Sequence, residues 1–347
     1  MISSRPNDSS RTRVFGSALL LATLALALSG TVVAQQPEDT IVTTTSLVQL
    51  SVGVVDKQGH AITTLSQNDF AVYEDGVRRP ISVFEAAQTP FSLVMLLDTS
   101  GSTLAFRQQI GQAALRFLDA LAPGDRVSVV EFNGKGVKSE LGFTDNLNRV
   151  AYAINYTMQA KGRGDTPLYD AIEFSLKELN REGKRRKAIV VLTDGIDTEA
   201  RNADRSALQK VLDSERATAL KPESYSHLTS ILSQADRNGV TIFPLALPSG
   251  DPARLPMPDA TIVAMYSAAR ARLDLLANRT GGRLHEVRRL DELAKIYPEI
   301  AAEMRSLYTI AYQPPNQNVH DGAWRAIRIE VTNPDLVARA KPGYYAR

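Results

Sequence analysis

Asp98, Ser100 and Ser102 stand two residues apart, directly after the apolar run 91–97. A carboxylate and two hydroxyls at that spacing offer three hard oxygens. The run ahead of them reads as a buried strand, and ligands bind where the strands of a parallel sheet end. Three oxygens there suit a small hard cation such as Mg²⁺. Ser and Asp are also the ordinary residues of turns and helix N-caps. The chemistry therefore depends on whether more of a coordination shell lies along the chain.

Two further segments carry oxygens to strand or helix ends. Thr166 precedes Pro167, which stands at the first position of a predicted helix. Asp194 closes the apolar stretch 190–193 and is followed by Gly195. Each segment alone reads equally well as a turn or a cap. Together they supply two carboxylates and three hydroxyls, provided the fold sets them on one edge. Asp165 and Asp197 flank these residues and either tune the charge or cap turns.

The element pattern supplies such an edge. Strands are predicted over 91–97, 126–132, 137–143, 187–193, 240–247 and 283–287. Helices are predicted over 104–121, 146–159, 168–182, 204–237 with a break near Pro222, 268–279 and 290–306. This alternation implies an α/β fold: a doubly wound, mostly parallel six-stranded sheet. The tight Asn133-Gly134-Lys135-Gly136 turn makes 137–143 an antiparallel edge strand. Tracing directions sets the ends of 91–97 and 187–193, and the loop 161–167, on one edge. Both exits of the domain lie at the opposite edge. The flanks are β-rich, with strands near 48–54, 70–73, 81–84, 308–312, 324–331 and 337. In this reading 81–84 is the return strand of the Glu74-Asp75-Gly76 hairpin. The expected organisation is a signal peptide (1–34), an N-terminal β segment (35–88), the α/β domain (89–306) and a C-terminal β segment (307–347). The two flanks would pair into a small β-sandwich.

Composition narrows the function classes. The formal net charge is +2. Arg5, Arg11 and Arg13 against Asp8 account for all of it. The remainder is balanced, which argues against a nucleic-acid partner. A basic, Ser-rich start, an apolar run from 14 to 28 and small residues at 32 and 34 read as an export signal cleaved after Ala34. The run is short for a membrane span, and none is expected in the mature chain. The expected location is periplasmic or secreted. With no cysteine, disulfides and zinc–thiolate sites are excluded.

In this order, Asp98-x-Ser100-x-Ser102, Thr166 and Asp194 closely resemble the metal-ion-dependent adhesion site of the von Willebrand factor type A family. The resemblance covers about 91–306. The flanks, with Asp69-Phe70, Tyr73-Glu74-Asp75-Gly76 and Gly343-Tyr344-Tyr345, are similar to a bacterial, largely acidobacterial, subfamily. The resemblance implies that all five residues hold Mg²⁺, with Ca²⁺ or Mn²⁺ as substitutes. It implies a non-enzymatic module whose cation takes a carboxylate from a protein partner, and a last helix, 290–306, that shifts on ligation.

Other chemistries fit less well. A haloacid-dehalogenase phosphotransferase needs a second acid where Ser100 stands. A serine hydrolase needs Gly-x-Ser-x-Gly, which is missing. The alternatives kept are a metal-dependent hydrolase and a scaffolding protein whose cation only stabilises the edge. His60, His227, His285 and His320 show no metal-ligand spacing and read as surface or packing residues. The basic run 184–187 reads as a solvated helix end. The long connections 198–239 and 248–267 start at the same edge and would rim the site.

Overall fold

The computed structural model describes residues 47–346 apart from 160, 161, 163, 184, 213, 214, 251–258 and 316–320. The expected signal peptide, 1–34, lies outside the described residues, as does His320. In the first flank, β1 (Val48–Val55) and β2 (Phe70–Glu74) bury alternate residues, as strands with one face on a core do. Asp75 and Gly76 both take positive φ, as a type I′ hairpin turn requires. The return strand is β3 (Val77–Arg79), not 81–84. Pro80 has no amide hydrogen to continue that ladder. β4 (Ile81–Glu85) lies in another sheet.

The central part alternates strand and helix. It runs β5 (Phe91–Asp98), α1 (Arg107–Leu118), β6 (Arg126–Asn133), β7 (Gly136–Thr144), α2 (Leu147–Met158), α3 (Leu168–Asn180) and β8 (Arg186–Thr193). It continues with α4 (Thr198–Leu208), α5 (Arg216–Ala219), α6 (Ser226–Asn238), β9 (Val240–Ala246), α7 (Ala260–Thr280), β10 (His285–Glu286) and α8 (Leu293–Ser306). Six strands form one sheet in the order β10-β9-β8-β5-β6-β7. All pairs are parallel except β6 with the edge strand β7. Every residue of β5, β8 and β9 is buried, because helices cover both faces. Leu93, Met95 and Leu97 pack with residues of α1, α2 and α8. Val94 and Leu96 pack with α3, α6 and α7 on the other face.

Three helix boundaries differ from those predicted. The helix expected from 104 opens as a 3-10 turn over Gly101–Phe106 and becomes α-helical at Arg107. The stretch 204–237 does break near Pro222, at the 3-10 turn Pro222–Ser224, but its first part is two helices, α4 and α5, and starts earlier, at Thr198. α7 begins at Ala260, well before 268, because the Asp259 side chain accepts the Ile262 amide and caps it. Much of the connection read as 248–267 is therefore helix. Among the described residues no helix is long and apolar enough to cross a membrane.

The second flank supplies β11 (Tyr308–Tyr312), β12 (Trp324–Val331), β13 (Val337–Arg339) and β14 (Gly343–Tyr345). These complete two antiparallel sheets, β13-β1-β11-β4 and β14-β12-β2-β3. Each sheet mixes strands from both flanks. Leu50 lies opposite Ile310, and Val72 opposite Ile329. Their inward residues share one core that includes Val52, Phe70, Tyr308 and Tyr312. Buried Glu74 accepts the hydroxyls of Tyr312 at 2.6 Å and Tyr344 at 3.1 Å.

The basic run is not a solvated helix end. Arg186 is 6% exposed and Lys187 9%. The Arg186 guanidinium donates to Met304 O at 3.0 Å and also to Leu307 O and Thr89 O. It thus ties together the places where the chain enters and leaves the α/β unit.

Candidate metal centre

The chain order explains where the site sits. From β5 the chain goes to β6 and β7 on one side, then returns to β8 on the other. β5 and β8 are neighbours whose following connections diverge, which leaves a crevice at their carboxyl ends. Asp98 ends β5, and Asp194 follows the last residue of β8.

Asp98 is fully buried. One oxygen accepts the Ser100 amide at 2.9 Å, and the other accepts the Thr193 hydroxyl at 2.9 Å. The Ser100 and Ser102 hydroxyls are 3.1 Å apart. The Ser102 side chain in turn hydrogen-bonds Asp194, whose other tie is the Ile196 amide at 3.1 Å. Asp98, Ser100, Ser102 and Asp194 therefore form one connected set. Burial, then the neighbouring Asp194 carboxylate, pushes the Asp98 carboxyl well above the usual carboxylate range. Burial raises Asp194 as well, against the opposing pull of Ser102, the Ile196 amide, Arg270 and Arg201.

Thr166 reaches the edge by a different route. Its amide donates to the Thr198 hydroxyl at 2.9 Å, and its carbonyl accepts the Thr198 amide at 3.1 Å. Asp197 resolves as a cap. It accepts the Ala200 amide at 2.9 Å, opening α4, and the Tyr169 amide at 3.3 Å, in the first turn of α3. Together these bonds tie the starts of α3 and α4, with Thr166 beside them. With Thr166, the connected set of Asp98, Ser100, Ser102 and Asp194 would offer two carboxylates and three hydroxyls, all oxygen, a donor set that fits a hard divalent cation.

Residues 93–196 match the family model described as von Willebrand factor type A domain. That stretch is similar to a VWA domain. The match opens inside β5 and closes just past Asp194, so it spans all five residues. A comparison with curated proteins finds no match. Among solved structures, a von Willebrand factor type A protein from Catenulispora acidiphila aligns at 15% identity and TM-score 0.45, over 88% of this chain and 64% of that one. The pilus adhesin SpaC from Lactobacillus rhamnosus GG aligns at 12% and 0.46, over 87% and 47%. The vWF domain of the pili tip protein Mfa5 from Porphyromonas gingivalis aligns at 14% and 0.43, over 62% and 95%.

Several residues that position this site carry no motif of their own. Thr193 and Thr198 hold Asp98 and Thr166, as described. Buried Arg107 donates to the carbonyls of Thr99, Ser100 at 3.2 Å and Gly162 at 3.3 Å, stitching the loop before Thr166 to the Asp98 turn. Thr99 donates to Glu131 at 2.5 Å, and Asn133 reaches both. A buried arginine serving three carbonyls of two segments cannot be read from spacing, because the contacts exist only after folding. Gly162 lies so close that a Cβ would come within 2.0 Å of Thr99 O. Gly162→Ala is therefore expected to cost about 1–3 kcal/mol in a denaturant titration, because the loop must lift off the Asp98 turn. An unchanged midpoint would show that the contact is slack.

Proposed function

We propose that this protein is an exported binding module that engages a partner's carboxylate through a divalent cation. Asp98, Ser100, Ser102, Thr166 and Asp194 would hold Mg²⁺, or Ca²⁺ or Mn²⁺ in its place. The observation that carries this reading is the pair of buried carboxyls, Asp98 and Asp194, linked through Ser100 and Ser102 at the switch point of the sheet. When bound, the cation supplies a Lewis-acidic position that takes an anionic oxygen. The chain's own residues do the rest. The two carboxylates balance the charge, the hydroxyls are neutral donors, and the Thr198 and Arg107 contacts set their places. Arg201 and Arg270 lend positive charge around Asp194, which favours an acidic group on the partner. Residues 1–34 would direct export to the periplasm or the medium.

The test is affinity capture from the source envelope fraction, with Mg²⁺ or with EDTA, using the wild-type chain and Asp98→Asn. Capture is expected with Mg²⁺ and wild type only. Capture indifferent to both chelator and substitution would overturn the reading.

A further inference from the structure

Asp170, Glu173 and His227 are a second group of potential ligands, outside the five-residue site. Asp170 lies in the first turn of α3, and Glu173 stands one turn further on the same face. His227 is the second residue of α6, the helix that packs beside α3. Its Nε2 lies 3.3 Å from a Glu173 oxygen and 3.9 Å from an Asp170 oxygen. One ligand atom from each of the three lies within 4.8 Å of the others.

We propose that these three side chains form a transition-metal site, with Zn²⁺ the best-fitting ion, distinct from the all-oxygen site at Asp98. Two physical arguments carry this. The first is spacing. Zinc bonds of ~2.0–2.1 Å in tetrahedral geometry put neighbouring ligand atoms ~3.3 Å apart. The His227–Glu173 separation already has that value, and Asp170, whose side chain is 60% exposed, is free to close the rest. The second is donor type. An imidazole with two carboxylates suits Zn²⁺ or Ni²⁺, whereas Mg²⁺ and Ca²⁺ prefer oxygen alone.

The surroundings also hold the imidazole in place. The rings of Tyr169 and Tyr225 lie 6.0 and 6.3 Å from that of His227, and only 24% of its side chain is exposed. The carboxylates are less fixed. Lys177 pairs with the other Glu173 oxygen at 2.8 Å, so the oxygen that now hydrogen-bonds His227 is not held by the lysine. Bound there, the ion would brace α3 against α6. The first turn of α3 also carries the Tyr169 amide that Asp197 accepts. The site therefore lies at the foot of the Thr166 segment.

The probe is Zn²⁺ alone, titrated calorimetrically into the full chain under saturating Mg²⁺. One Zn²⁺ per chain is expected for wild type and for Asp98→Asn. His227→Ala should weaken it by at least the ~10–100-fold that losing a supporting contact costs a metal site. Asp170→Asn, on an exposed side chain, repeats the test should His227→Ala fail to fold. His60, paired with Asp56 at 3.1 Å on the surface, is the decoy, and His60→Ala should leave binding intact. Absent Zn²⁺ uptake, uptake that survives both His227→Ala and Asp170→Asn, or uptake lost in Asp98→Asn would each overturn the assignment. None of these results bears on Mg²⁺-dependent capture.

Discussion

Asp98→Asn is expected to stabilise the cation-free protein while abolishing its stabilisation by Mg²⁺. The two effects have opposite signs and one cause. Without a cation, Asp98 is a buried carboxylate beside a second one, Asp194, and its proton affinity is raised by burial and by that neighbour. An amide removes one of the two charges and keeps the geometry. It still accepts the Ser100 amide, and the Thr193 hydroxyl can turn from donor to acceptor. Each tenfold change in proton affinity corresponds to ~1.4 kcal/mol, so the gain should be on the order of 1–3 kcal/mol. Mg²⁺ at one hundred times its dissociation constant should stabilise wild type by ~2.7 kcal/mol, and the variant by almost nothing. The pH dependence follows by linkage. A carboxyl with a folded-state value above its ordinary 3.8 binds more protons folded than unfolded as pH rises past 3.8. Stability of the cation-free wild type should therefore fall as pH rises above that value, and the slope should shrink in Asp98→Asn. Thermal melts with EDTA and with Mg²⁺, at several pH values, read all three effects. A variant less stable than wild type in EDTA would mean that the two carboxyls do not oppose each other.

Arg186→Met should cost about 2–4 kcal/mol, because leaving a buried acceptor unsatisfied costs ~1–3 kcal/mol and three carbonyls share the loss. The carbonyls of Met304, Leu307 and Thr89 would each lose a charge-assisted donor. Methionine fills much of the volume but donates nothing. Arg186→Lys should fall between the two, because one ammonium cannot match a planar fork that reaches three carbonyls. Denaturant unfolding checks the ranking. A loss under about 1 kcal/mol in Arg186→Met would mean that water takes over those carbonyls. The position joins the start of β8, the end of α8 and the segment leading into β5. The variant therefore also asks how far the α/β unit depends on being tied at its exits.

The pattern 91–97, 187–193 and 240–247 was legible because strands buried on both faces must be continuously apolar, and the helices between them must be amphipathic. The same logic was too coarse at 204–237, where Pro222 marked the break but nothing in the composition separated α4 from α5. It failed at 81–84, where alternation was read correctly but assigned to the wrong sheet. Pro80 was visible in the sequence, yet only pairing partners could say that the chain changes sheets there. The run 184–187 shows the limit most plainly. Its charge argued for solvent, and its position at the start of a buried strand argued against.

By itself, the sequence determined the periodicities, the six-stranded α/β sheet they imply, and the order in which five oxygen-bearing residues reach strand and helix ends. Those properties are local, set by side-chain pattern and by turn chemistry within a few residues. Tertiary structure alone decided that Ser100 and Ser102 link the two buried carboxyls, that Thr198 holds Thr166, and that Arg107 and Arg186 are buried clamps. It also brought His227 to Asp170 and Glu173, 57 and 54 residues earlier in the chain. Each of these is a contact between segments far apart in sequence, and its energy exists only once the sheet has brought the segments together.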